Sequence, residues 1–395
     1  MDQDFALTLQ THYQSFKVSE RILLSGHSHQ AWPDVAKLGL VKCFDDAAKH
    51  IDEKWSLAFE KADRVRDFYR GLLGEPQAQI ALGASTHELI LRFLSDLHCF
   101  KQPLKRPIKI ITTDGEFHSL RRQLSRLKDI NVDIEVVEVQ PSDTLAERII
   151  NKLDSDTDAV MLSAVFFGTS EIFNDVGLVA KAAQDLNIPC LVDAYHALNV
   201  LPFNLDAWQL TSAFIVAGGY KYCQAGEGNC MLRIPAEYQG SPIITGWYAE
   251  FEVLDHVPGK VGYGPGQSAF AGSTYDPASH YRAAEVFDFF EQHKLTDIKL
   301  RAISQQQITA LWQGIETMGL SRDVLALPSH NIIDNAGFLS LTTAKANQWV
   351  VALGKQGVLC DSRGNQLRFG PAPYLSNAQL SNALNAIEDL AKSLS

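Results

Sequence analysis

Apolar residues recur along this chain in two rhythms, and the switching between them lays out a fold. Over 54–73 they fall every three or four residues (Trp55, Phe59, Ala62, Val65, Tyr69, Leu72), which predicts an amphipathic helix that Gly74 and Pro76 stop. Shorter unbroken apolar runs at 79–83, 108–113, 134–139, 159–167, 189–193, 213–217 and 229–234 read as strands. The stretches 84–94, 119–128, 144–153 and 178–186 between them read as helices. Apolar strands alternating with helices predict an α/β fold: a mostly parallel sheet flanked by helices. Upstream, the first 19 residues are polar and suit an arm or short helix, and 21–33 an extended segment ending in a loop. From about 240 to 277 glycine and proline punctuate the chain, and long loops of this kind line a site or a subunit contact. Helices at 279–293 and 299–318, a strand at 336–341 and helices from 344 and 376 then form a smaller C-terminal α/β domain. The division expected is an arm over 1–48 that contributes to the small domain and the site, a large domain over 49–260 and a small one over 261–395.

Composition narrows the class. Hydrophobic residues at 46% and charged residues at 21% of 395 are the balance of a globular protein large enough for two domains. A formal net charge of −11 works against nucleic acid or an anionic membrane as partner. No run approaches the roughly 18 apolar residues of a membrane span, and the opening Met-Asp-Gln-Asp-Phe lacks an export signal. The six cysteines (Cys43, Cys99, Cys190, Cys223, Cys230, Cys360) form no CxxC pair and read as reduced thiols. A cytoplasmic enzyme is the expectation.

In a parallel sheet, ligands bind beyond the carboxyl ends of the strands. The residues that interrupt the apolar pattern lie there: Ser85, Phe117, Asp193, His196 and Lys221. Ser85 and Glu88 have capping-box spacing, which makes a good helix start, and the same free N–H groups suit a phosphate, with hydroxyls from Ser85 and Thr86. Lys221 lies between Tyr220 and Tyr222 with glycines nearby; burial there would lower its pKa and free the amine, and an ordinary surface lysine is the plainer reading. Asp193 could hold a pyridine nitrogen protonated or cap the next helix. His196 could reach a cofactor or substrate or be structural, and Phe117 could stack on a ring or belong to the core. The loop histidines His27 and His29 are metal ligands by type alone, and more often such residues face solvent. An amine, a carboxylate, a phosphate cup and a stacking surface are together what pyridoxal phosphate requires of a protein.

Asp193-x-x-His196, then Gly219-Tyr-Lys-Tyr222 and a Gly226-x-Gly228 turn, resemble the class V aminotransferase group of fold-type-I pyridoxal phosphate enzymes. Within that group the chain is most similar to kynureninase. Asp193-Ala-Tyr-His196 resembles that family's Asp-Leu-Ala-His, and Tyr220-Lys-Tyr-Cys-Gln-Ala-Gly-Glu-Gly228 its Tyr-Lys-Tyr-Leu-Asn-x-Gly-x-Gly. Gly246-Trp-Tyr248, Gly357-Val-Leu-Cys-Asp-Ser-Arg363 and Leu367-Arg-Phe-Gly-Pro-Ala-Pro-Tyr374 resemble further family segments in order along the chain. The resemblance implies pyridoxal phosphate as cofactor, carried by Lys221, with Asp193 at the ring nitrogen and His196 completing the catalytic set. It implies Phe117 stacked on the ring and Ser85, Thr86 and Tyr220 on the phosphate. Trp247 and Thr274 would reach the site from the neighbouring subunit of a homodimer. Arg368 would grip the α-carboxylate of an amino-acid substrate as a bidentate fork, with His27 and Ser28 also on the substrate.

The chain departs from the family at three places. Phe117-His-Ser-Leu120 stands where the family has Phe-Pro-Ser-Asp, Ser273-Thr274 where it has Ser-Asn, and Gly219 where it has Ser. The leading expectation is kynureninase-like hydrolytic cleavage of a β–γ carbon–carbon bond, giving alanine and an aromatic acid. The alternatives are a class V aminotransferase, a cysteine desulfurase-type lyase with Cys360 as nucleophile, and a silent relative that only binds. A metallohydrolase built on His27, His29, His196 and Asp193, with Lys221 as a carbamate, is the distant one.

Overall fold

The computed structural model describes residues 3–102, 105–254 and 259–394. Among them run twelve strands: β1 (Ile22–Leu23), β2 (Gln79–Gly83), β3 (Ile108–Thr113), β4 (Val132–Val137), β5 (Thr157–Ser163), β6 (Cys190–Asp193), β7 (Phe214–Ala217), β8 (Cys230–Ile234), β9 (Leu339–Thr342), β10 (Val358–Leu359), β11 (Asp361–Arg363) and β12 (Gln366–Phe369). Seven of them form one sheet in the order β2-β8-β7-β6-β5-β3-β4. β8 runs antiparallel to both of its neighbours; the other pairings in this sheet are parallel. The expected α/β architecture is therefore present.

The central strands are apolar throughout because both of their faces are covered. Val192 and Ile215 are buried in one apolar layer, and Leu191, Phe214 and Val216 in the other. Helices Lys54–Leu73, Val176–Asp185 and Ala278–Gln292 supply side chains to the first layer; Thr86–Asp96 and His118–Leu127 supply the second. A third core lies beside the antiparallel sheet β11-β12-β9, under helices Asp297–Thr317, Ala346–Lys355 and Asn377–Leu394. The N-terminal segment is tied to this part: β1 pairs in parallel with β10, aligning Ile22 with Val358 and Leu23 with Leu359.

Helix Lys54–Leu73 begins and ends where the periodicity predicts, closed by Gly74 in the left-handed conformation at φ 64°. One long helix has no counterpart in the sequence reading. Val35–His50 buries only Ala36 and Gly39, while Leu38, Leu40, Val41 and Phe44 are exposed. Apolar residues on its outer face blur the 3.6-residue signal. Its inner face is small because it packs close against Ala278–Gln292: a Cβ on Gly39 would lie 2.5 Å from the Tyr281 carbonyl oxygen.

Candidate active site

Asp193 closes β6, and the loop after β7 carries Lys221, so the sheet's parallel run brings both to one end. There a cavity of about 250 Å³ is lined by Ser85, Thr86, Phe117, Asp193, Tyr195, His196, Tyr220 and Lys221, among others. Eight of the residues singled out from the sequence thus line two adjoining spaces or one: seven meet here, and Thr274 lines a second cavity of about 1140 Å³ that touches the first at Ala84, Glu227 and Gly228.

The floor is buried and polar. Lys221 is 4% exposed and its Nζ lies 2.5 Å from His196 Nε2. Burial lowers the Lys221 pKa to about 7, against the pull of the Asp193 carboxylate, with Arg368 adding to the fall. Burial likewise lowers His196, helped by the charge of Lys221, so the imidazole is neutral at pH 7. With Nε2 accepting from the lysine amine, the ring proton sits on Nδ1, and that buried atom has no partner among the described residues. Asp193 accepts the Tyr195 backbone N–H at 2.8 Å, and burial raises its carboxyl.

The anion end is a helix start. Ser85 caps Thr86–Asp96, its Oγ accepting the Glu88 N–H at 3.2 Å, while Glu88 returns a bond to the Ala84 N–H at 2.9 Å. The cap bond is the one read from the Ser85–Glu88 spacing, while the Glu88 carboxylate accepts from the residue before the cap rather than from Ser85 itself. It leaves N–H groups of the first turn and the Ser85 and Thr86 hydroxyls at the cavity wall, where the helix dipole favours a phosphate. Phe117 precedes helix His118–Leu127, and its ring centroid is 5.3 Å from Lys221 Nζ.

Arg368 sits on β12, 3% exposed, and meets the cavity wall at Phe167. It donates from Nε to Asp361 Oδ1 at 2.8 Å, from Nη2 to Asp361 Oδ2 at 2.6 Å and from Nη1 to the Phe167 carbonyl at 2.5 Å. His27 is fully buried, donates from Nε2 to Asp361 Oδ1 at 2.8 Å and stacks on Phe338 at 4.5 Å; burial lowers it to about 4, so it is neutral. It does not line the cavity, and Ser28 only meets the His29 ring at 3.3 Å. Trp247 is 46% exposed and donates from Nε1 to Thr274 Oγ1 at 3.1 Å, so within this chain it stands apart from Lys221. His27, His29 and His196 do not converge, and no group of three metal-ligating side chains gathers among the described residues.

Four residues here escaped the sequence reading. Glu116, 1% exposed, accepts Thr113 Oγ1 at 2.7 Å and Ser163 Oγ at 2.6 Å behind Asp193, and burial raises it to about 7. Asp361 organises Arg368 and His27; Phe338 lies between the His27 and His196 rings. Tyr195 lines the cavity. An acid between Gly115 and Phe117, or a phenylalanine before a strand, carries no one-dimensional signal. One substituted position takes on a different meaning here. Leu120 is fully buried in the apolar layer, and it is Ser119 that faces the cavity.

No family model matches the chain. It is 19% identical over 391 residues, 96% of its length and 95% of the relative's, to the uncharacterized aminotransferase YcbU of Bacillus subtilis (strain 168). To the kynureninase of Shouchella clausii it is 23% identical over 245 residues, 58% of this chain and 55% of that one. Its structure superposes on apo cysteine desulfurase from Thermococcus onnurineus NA1 with a TM-score of 0.81 at 17% identity, covering 98% of each chain. On the cystine C-S lyase C-DES bound to its product cysteine persulfide the TM-score is 0.81 at 14% identity, over 95% and 99% of the two chains. The chain has the fold of the fold-type-I pyridoxal phosphate-dependent enzymes, and the relatives it is similar to in sequence belong to their class V aminotransferase group.

Proposed function

We propose that this protein is a pyridoxal phosphate-dependent enzyme that acts on a small α-amino acid by aminotransferase or carbon–sulfur lyase chemistry. The observation that carries the reading is the Lys221 amine, buried and held 2.5 Å from a neutral histidine in the cavity that also holds Asp193 and the Thr86–Asp96 helix start. The residues fit the cofactor: a desolvated amine to carry it, a carboxylate for its ring nitrogen, hydroxyls and N–H groups for its phosphate, and an unpartnered His196 Nδ1 awaiting an acceptor. When bound, pyridoxal phosphate withdraws electrons from the substrate's α-carbon. Lys221, its pKa lowered to about 7, would take and return the α-proton; His196 would receive the amine's hydrogen bond and orient it.

Arg368 suits the substrate carboxylate. Asp361 takes its Nε and Nη2 edge and the Phe167 carbonyl one N–H of Nη1, so one N–H on Nη1 and one on Nη2 are left as an end-on fork. Similarity over the whole chain supports an aminotransferase or lyase, and the kynureninase match spans only part of it. Cys360 does not serve such a lyase. It packs against the C-terminal core, outside the cavity, and burial pushes its thiol up to about 12. Hydrolytic cleavage of a kynurenine is the second reading, favoured by the partial match and by Tyr248 and Tyr275 lining the adjoining cavity. A homodimer is part of the proposal: Ile243, Ile244, Trp247, Phe251 and Leu254 are all exposed on the 240–277 segment, as a covered face would be.

Purified protein given pyridoxal phosphate is expected to turn yellow, to fix the cofactor on borohydride treatment, and to lose this in Lys221→Ala. A colourless protein overturns the reading. Pyruvate with sulfide from L-cysteine, pyruvate with cysteine persulfide from L-cystine, or amino-group transfer to a 2-oxo acid support the leading reaction; anthranilate from L-kynurenine as the main turnover reverses the order.

A further inference from the structure

A third cavity, of about 10 Å³, is lined by Asn199, Tyr222, Ser304, Gln307, Pro371 and Pro373, among others. These residues come from separate parts of the chain. Asn199 follows the Asp193–His196 stretch, Tyr222 is the neighbour of Lys221, and Ser304 and Gln307 belong to helix Asp297–Thr317. Pro371 and Pro373 continue from β12, which carries Arg368. Among the described residues, no charged side chain lines this cavity.

Its wall carries more oxygen than the fold itself pairs. Asn199 is 1% exposed, Tyr222 4% and Ser304 6%. Asn199 donates from Nδ2 to the Tyr222 carbonyl at 3.0 Å. Its Oδ1, the Tyr222 hydroxyl and Ser304 Oγ are all buried and bond no group among the described residues. Buried polar atoms in folded proteins are paired with protein or with ordered water, because an unpaired one forfeits the bonds it makes in the unfolded chain. The three oxygens are complementary to one molecule. An amide oxygen only accepts, and each hydroxyl can donate. Water can give a hydrogen to the first and take one from each of the others. A buried water needs roughly 10–15 Å³ and two to four polar partners, which is what the cavity offers. A cation fits less well. Burial raises the Tyr222 pKa against the charges of Arg368 and Arg301, and those two nearby positive charges would repel it.

We propose that this cavity is a binding site for a single ordered water, held by Asn199, Tyr222 and Ser304, which joins helix Asp297–Thr317 to the loops that carry Asp193 and Lys221. The C-terminal part thereby reaches the residue beside Lys221 through hydrogen bonds as well as through packing. The inference is independent of the cofactor reading.

The experiment is a crystal structure of the full-length protein, with and without a rubidium soak, together with a double-variant cycle in equilibrium urea unfolding. A single density peak within about 3.2 Å of Asn199 Oδ1, the Tyr222 hydroxyl and Ser304 Oγ is expected, with no anomalous signal after the soak. Tyr222→Phe and Ser304→Ala each delete one hydroxyl and little bulk. Each is expected to lower the urea midpoint, and the double variant to lose clearly less than the two single losses added, because both hydroxyls bind the same molecule. No hydrogen bond joins Tyr222 to Ser304 among the described residues, so two separate sites would give additive losses. An empty cavity, a rubidium signal at the peak or additive losses overturns the proposal. If either variant fails to fold, the crystal structure alone decides.

Discussion

Removing one carboxylate tests how the substrate fork is held. Arg368 is 3% exposed, and three of its N–H groups are bound: two by Asp361 and one by the Phe167 carbonyl. Asp361→Ala leaves that cation with one neutral acceptor and leaves the His27 Nε2–H unpaired. Breaking a fully buried ion pair costs ~3–5 kcal/mol. The Asp361 side chain is 19% exposed, so solvent screens part of this and about 2–4 kcal/mol is expected. Because the cost arises from a stranded charge, Arg368→Met in the same background should recover most of it. The assay is equilibrium urea unfolding of the cofactor-free wild type, both single variants and the double. Burial alone would raise the Asp361 carboxyl; the bonds and charges of His27 and Arg368 outweigh it and hold the group well below the usual range. A depressed carboxyl contributes in full above its unfolded value of about 3.9 and loses that contribution as pH falls toward the folded value. The gap between wild type and Asp361→Ala should therefore be flat from about pH 5.5 to 8 and narrow below about 4. A loss under about 0.5 kcal/mol at pH 7, or two single losses that simply add, would refute the reasoning.

Three further outcomes follow from named residues. Lys221 titrates near 7 in the fold and near 10.5 when unfolded, so between these values the unfolded chain holds more protons and wild-type stability rises with pH; Lys221→Met should stabilise the cofactor-free protein below pH 7, with the gain shrinking toward about pH 10, and a gain independent of pH would count against a buried neutral amine. Gly39→Ala should destabilise by about 1–3 kcal/mol, because its Cβ would lie 2.5 Å from one backbone atom and 2.7 Å from another on Ala278–Gln292; an unchanged urea midpoint would show that the helices separate freely. Cys360→Ser should leave any sulfide or pyruvate production within twofold of wild type, and its abolition would restore Cys360 as a nucleophile.

What could be read from the sequence was whatever repeats or ends sharply. The large sheet was legible because doubly covered strands such as Cys190–Asp193 and Phe214–Ala217 are unbroken apolar runs, and polar residues can follow only where such a strand leaves the core. That is why Asp193 and Lys221 stood out and why they meet. Ser85 was legible as a cap from its spacing to Glu88, and the bond is made. Helix Val35–His50 was not, since its inner face needs smallness at Gly39 rather than an apolar stripe. Glu116 and Asp361 were hidden for another reason: their meaning lies in partners 47 and 334 residues away along the chain, Ser163 and His27.

The same distinction separates the cofactor question from the substrate question. Residues that serve the cofactor hang from strand ends and helix starts, where backbone geometry fixes them. Residues that would choose a substrate sit on the segment 240–277 or reach the site through intermediaries, and their neighbours decide their role. Thr274 is bound to Trp247 and lines only the adjoining cavity, and Leu120 lies in the apolar layer, so neither lines the cavity that holds Lys221 within this chain. A changed letter at either position therefore removes a polar contact without naming its replacement. On the proposed reading, Arg368 would fix the carboxylate end of an amino acid, whatever the other end is. On this reading the free end would be met by the adjoining cavity, whose wall sets the rings of Phe59, Tyr248 and Tyr275 among charged side chains such as Arg66, Arg92 and Asp276, so it offers aromatic contact and charge together.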